Sequence, residues 1–289
     1  MTFDEFLEAA WNDHGDRPQE VAARLASSLH VVENAEHIPP FARLVMHVYG
    51  EHLGQWNPGI ALLESLRRVP ASAGSAAAVG ALDRNIATLR YAGGDTSVLD
   101  ALSTEDRISV LALAASAFSG SNGMKRAIAT YAEALALAEA GLPPQSPALR
   151  ALAVGGNNLA AALEEKKDRD DAETAGMVVA ANGGLKYWKL AGTWLEEERA
   201  EYRLTRSLLQ AGRPRDATAS AQRCIDVCTR NDAPVIETFF GYVVLALAQR
   251  ASGDASAFDA SRQKALALYE KVPADEQRWC RSDLADIGN

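Results

Sequence analysis

The chain has 289 residues, 48% hydrophobic and 23% charged, with a formal net charge of −9. The apolar share is enough for a sizeable core, and the acidic balance argues against nonspecific nucleic-acid binding, which needs a basic face. No apolar run approaches the ~18 residues of a membrane span, and the first eleven residues carry Asp4, Glu5 and Glu8 where a signal peptide would be basic. The expected location is therefore cytoplasmic, with neither nucleic acid nor membrane as a partner.

Helix signals begin at once. Thr2 and Glu5 form a capping-box pattern, and Phe3, Phe6, Leu7, Ala10 and Trp11 follow as the stripe of an amphipathic helix that Gly15 ends. Asp16 and Pro18 open a second helix with Val21, Leu25, Leu29 and Val32 on its face. Pro39 and Pro40 break it and start a third. All five histidines precede residue 53: His14, His30, His37, His47 and His52. The run from His47 to His52 suggests a metal, but five residues are about 140° round an α-helix, whereas zincin histidines lie four apart on one face. The expectation is no metal site and no cofactor.

A loose helix pair spans 41–69, with Gly59, Leu63 and Leu66 in its second helix. Residues 70–78, rich in Ala, Ser and Gly, read as a flexible joint. Beyond it, helical stretches of roughly 12–20 residues alternate with short polar turns, and no strand pattern appears. The turns at Gly54, Gly93, Gly123, Lys167, Gly212 and Gly253 recur about 30–45 residues apart. Such a period means stacked hairpins, because one hairpin cannot bury its apolar face alone.

The best unit reads Leu111, Ala114, Ala115 and Phe118, then Ala127, Tyr131 and Ala134. The next has Leu159, Ala160 and Leu163, then Ala172. The one after has Leu204, Thr205 and Leu208, then Ala217, Ala221 and Cys224. A later unit keeps Leu245, Ala246 and Ala265 but has Phe258 where a small residue is expected. This order of small residues at the helix crossing and large ones in the gaps resembles the tetratricopeptide repeat (TPR) family. The likeness is good over about 104–230 and weak outside. Asn157-Asn158-Leu159-Ala160 and the longer spacings are similar to the long-repeat variety of kinesin light chains, which licenses no motor function. The resemblance implies an all-α, right-handed superhelix (α-solenoid) of antiparallel helix pairs. The segments would be 1–70 with a degenerate helix pair, 71–270 with the repeats, and 271–289 as a capping helix with Trp279, Leu284 and Ile287 on its buried side.

Catalytic chemistry is hard to find. Three cysteines, Cys224, Cys228 and Cys280, make no disulfide framework, and the first two share a helix face and read as core. No phosphate-binding loop occurs, and Gly155-Gly156 and Gly183-Gly184 lie in helix-like sequence. Glu196-Glu197-Glu198 follows Thr193 at a helix start, where acids suit the dipole and Thr193 with Glu196 makes a capping box.

One constellation stands out. Arg199, Arg203 and Arg206 lie on one helix face, and the latter two lack a carboxylate three or four residues away. In the family this first helix of a pair lines the concave side, as does the one carrying Asn157 and Asn158. Arginine can hold a carboxylate bidentately and asparagine can bond a peptide backbone. Asn157, Asn158, Arg199, Tyr202, Arg203 and Arg206 are therefore the candidate peptide-binding residues. The alternative is that the arginines pair with acids of neighbouring helices such as Glu164 and Glu165. Tyr187, Trp188 and Trp194 read as interhelix core. The expected function is a protein-interaction scaffold holding a peptide or partner segment of some acidic character; the alternative is a ligand- or peptide-responsive regulatory module. An enzyme is not expected.

Overall fold

The computed structural model describes residues 1–72, 74–121 and 123–288. Among them there is no strand, and no helix is long and apolar enough to cross a membrane. Compactness divides the chain into two units, 1–155 and 156–289, within one long helix.

The first unit begins with α1 (Phe3–Asp13) and α2 (Pro18–Ser27). The capping box closes on both sides: Thr2 accepts from the Glu5 N–H, and the Glu5 carboxylate accepts from the Thr2 N–H. Helix α2 is shorter than its apolar stripe. The Ser27 hydroxyl donates back to the Ala23 and Arg24 carbonyls, and Leu29 falls in a separate single turn. Then α3 (Ile38–Val45) starts on its two prolines, which fit the first helical turn where no N–H is needed.

Residues Met46–His52 depart from α geometry and form a π-helical turn, with the Leu53 N–H donating to the Val48 carbonyl five residues back. The 140° separation of His47 and His52 holds only for an α-helix. In the wider turn, residues five apart come nearly one above the other, and the two Nε2 atoms lie 3.1 Å apart. Burial pushes the His14 and His52 imidazoles below their ordinary range.

Next come α4 (Trp56–Arg67), α5 (Ala76–Ala92), α6 (Thr104–Gly120) and α7 (Met124–Leu137). Leu63 and Leu66 of α4 share one core with Leu82, Ile86 and Leu89 of α5 and with the aromatic residues of α1 and α3. The stretch expected to be a joint, 70–78, is anchored at Ser72 and Ser75. Ser72 is buried and its hydroxyl donates to the Leu66 carbonyl at 2.7 Å, while Ser75 caps α5; Ala73 lies outside the described residues. Helix α6 packs hard on the π turn through Gly120. A Cβ there would lie 1.9 Å from the Glu51 carbonyl oxygen. Gly120→Ala should thus cost about 2 kcal/mol or more through forced backbone movement, measured as a lower denaturant midpoint at unchanged slope. A neutral result would mean that α6 can back away freely.

The boundary helix is α8 (Pro147–Glu165). The second unit continues with α9 (Asp171–Ala191), α10 (Trp194–Gln210), α11 (Pro214–Arg230), α12 (Val235–Ala251), α13 (Ala255–Tyr269) and the short α14 (Arg281–Ile287). Each helix from α9 to α12 packs on its successor, and α14 packs on α12. Small residues sit where they cross: Ala217, Ala221, Ala246 and Ala265 are fully buried. Cys224, Cys228 and Cys280 are buried free thiols. The C-terminal segment covers the apolar end of α12 and α13 with Cys280, Leu284 and Ile287. Trp279 does not join them and is 57% exposed, because the single turn 277–280 ahead of α14 rotates it outwards.

Candidate functional site

In the second unit α10 carries the arginine face. Thr193 and Glu196 start the helix with a full capping box. Each arginine then meets an acid from another element. Arg199 bonds Glu237 of α12 at 2.6 Å. Arg203 bonds Glu164 of α8 at 2.5 Å, and Glu164 also accepts from the Ser207 hydroxyl at 2.7 Å. Its carboxylate is only 5% exposed. Arg206 approaches Glu164 at 3.9 Å and bonds Asp286 of α14 at 3.3 Å. The local shortage of acids is thus made good at long range, and Glu164 is the acid named above as an alternative partner.

Tyr202 lies between Arg199 and Arg206. Its hydroxyl donates to Asp283 of α14 at 2.6 Å and accepts from Arg206 at 3.3 Å. Burial, then the Asp283 carboxylate, push its phenol above the ordinary range, so the proton stays on the oxygen. Two carboxylates of the C-terminal segment therefore rest on the very face read from sequence as an acid-binding one.

Beside this contact opens a cleft of roughly 610 Å³. Asn157, Arg199, Tyr202 and Arg203 line it, with Ile236, Glu237 and Phe240 of α12 and with Glu276, Trp279 and Asp283 of the C-terminal segment, so its two arginines share the opening with carboxylates of the chain itself. Arg206 and Asn158 do not line it. Of the six candidate residues, then, the fold gathers four at one opening and turns Arg206 towards α14. Of the other aromatics, Tyr187 and Trp188 are buried, as expected of interhelix core, whereas Trp194 is only half-buried.

Two buried acids of α10 escaped the sequence reading. Glu201 is fully buried and holds Arg223 at 2.9 Å, Lys189 at 3.2 Å and the Ser220 hydroxyl at 2.6 Å, tying α9, α10 and α11 together. Glu198 also lines the cleft. It accepts from the Cys224 thiol at 3.0 Å, and its other oxygen is buried without a hydrogen-bond partner among the described residues. Burial pushes this carboxyl up to about 8. At neutral pH it is mainly a neutral acid with a proton to give. The signal in the sequence is an acid four residues before Tyr202, and therefore on the same face of the helix.

These helix pairs with small residues at their crossings match solved repeat structures. One from Podosopora anserina, of nearly identical TPR-like repeats of kinesin-light-chain type, covers 83% of this chain and 98% of its own at 13% identity, with a TM-score of 0.51. The fold is TPR-like. A second TPR-like match is a signal transduction ATPase with numerous domains and a tetratricopeptide repeat sensor, from Pyrococcus horikoshii. It is 10% identical, with a TM-score of 0.50 over 94% of this chain and 42% of that one. No protein-family model matches the sequence, and no curated protein matches it. At such identities the TPR-like likeness speaks for the fold and leaves the ligand to the cleft itself.

Proposed function

We propose that this chain is a protein-interaction scaffold, not an enzyme, and that the cleft on α10 and α12 takes a peptide segment bearing carboxylates. One observation carries the reading: the side of the cleft already accepts an acidic helix, through Tyr202 and Arg206 against Asp283 and Asp286. The opening next to it offers what a peptide anchor needs. Ile236, Phe240 and the exposed Trp279 supply apolar area, Arg199 is 63% exposed although paired, and Asn157 can bond a main chain. A second reading, a peptide-responsive regulatory module, is favoured by the same contact, since an incoming acid could compete with Asp283 and Asp286.

The test uses a displayed random peptide library panned on the full chain. Recovered peptides should be rich in Asp and Glu and should bind Trp279→Ala at least tenfold more weakly, the loss of an aromatic anchor of about 1.4 kcal/mol or more. Because Trp279 is exposed, the melting temperature should hardly move. Peptides without acidic bias, or with equal affinity for the variant, would refute the reading.

A further inference from the structure

The first unit holds a second cluster of chemistry that the cleft does not use. His14 caps the end of α1, and His47 and His52 come from the π turn; their potential ligand atoms all lie within 4.8 Å of one another. The ring centroids of His47 and His52 are 4.7 Å apart, and His14 lies 4.8 and 5.1 Å from them. From these positions we propose that His14, His47 and His52 bind a divalent transition-metal ion of the zinc class.

The tautomers of His14 and His47 are set by groups outside the cluster. Nδ1 of His14 meets the Trp11 carbonyl, which can only accept, so the proton sits on Nδ1 and the Nε2 lone pair is free. Nδ1 of His47 meets the Glu51 carboxylate at 3.0 Å, which fixes the same tautomer. This carboxylate–imidazole pairing is the arrangement that orients histidine ligands and raises their basicity. Nε2 of His47 then faces Nε2 of His52 at 3.1 Å. Two imidazole nitrogens bound to one tetrahedral zinc at ~2.0–2.1 Å stand about 3.3 Å apart, so this pair already has the required spacing. His14 has to close by up to about 1.5 Å, from a separation within 4.8 Å to that spacing.

The backbone supports the same conclusion. π turns are rare and recur at functional sites, and here the turn is what aligns residues five apart. Gly120 of α6 lies against the Glu51 carbonyl and wedges the turn in place. Three imidazoles without a thiolate suit zinc, cobalt, nickel or copper better than calcium or magnesium, which want oxygen. Three protein ligands leave a coordination position open, and the exposed His52 lets water reach it.

The experiment adds cobalt(II), then zinc(II), to the full chain freed of metal by chelator. One equivalent of cobalt should bind, with visible ligand-field bands and no intense thiolate charge-transfer band, and zinc should displace it. Zinc should raise the melting temperature by several degrees, since an ion that binds only the folded state stabilises it. His52→Ala, at an exposed position, should weaken binding at least a hundredfold, and Glu51→Gln by 10–100-fold. Should His52→Ala unfold, imidazole nitrogen NMR of the unmodified chain decides: zinc should shift three histidines and leave His30 and His37 in place. No uptake, uptake with a thiolate band, or uptake unchanged by His52→Ala would overturn the proposal. The 3.1 Å contact would then be a plain hydrogen bond between two imidazoles.

Discussion

Arg203→Ala should lower the stability of the second unit by about 3 kcal/mol, the lower part of the range for breaking a buried ion pair from one side. The reason lies with its partner. Glu164 is 5% exposed and has Arg203 at 2.5 Å as its close cation. Ser207 at 2.7 Å and Arg206 at 3.9 Å remain after the substitution, which places the cost at the low end. Glu164→Gln in the same background should recover much of the loss, because a neutral amide removes the stranded charge while keeping an acceptor for Ser207. Urea denaturation of the single and double variants measures this directly. If Arg203→Ala unfolds at the same midpoint as the parent chain, the pair is not structural. The Arg203 guanidinium would then be available to a partner, and peptide affinity would fall instead.

Stability should also decline as pH rises from about 4.5 to about 8, by an amount that Glu198→Gln removes. The folded carboxyl has its ordinary value of 4.5 raised to about 8. Below 4.5 the group is protonated in both states and costs nothing. Between the two values the unfolded chain releases its proton while the folded chain keeps it, so each pH unit costs on the order of 1 kcal/mol. Above 8 both are ionised and the curve levels. Burial is the largest cause; of the groups facing Glu198, Cys228 of α11 and Glu237 of α12 push the same way, while the Cys224 thiol opposes it and Arg199 of α10 is the nearby cation. His14 and His52 act with the opposite sign at the acid end, since their lowered values favour the folded state as pH rises. The difference between the parent chain and Glu198→Gln isolates the carboxyl. A difference that stays flat from pH 5 to pH 9 would show that Glu198 ionises normally.

Both effects arise from residues whose helix was legible but whose neighbours were not. Thr2 with Glu5 and Thr193 with Glu196 mark helix starts because a cap is satisfied within four residues. The small residues at 217, 221, 246 and 265 mark crossings because close approach of two helix axes leaves no room for more. From these the repeated helix-pair fold and the arginine face of α10 follow from sequence alone. Local chemistry also shows that Arg203 and Arg206 need acids from elsewhere.

Which acids answer is a tertiary matter. Glu164, Asp283 and Asp286 reach α10 from α8 and α14, and no spacing rule connects side chains so far apart in the chain. Trp279 was expected inside and stands outside because a single tight turn rotates it away from α12 and α13. The histidines are the sharpest case. The separation of five residues was plain, but its meaning depends on the turn that carries it, and α and π turns use the same residues. Packing of Gly120 against the Glu51 carbonyl accompanies the wider turn, and contact across two helices is energy that a one-dimensional pattern does not contain.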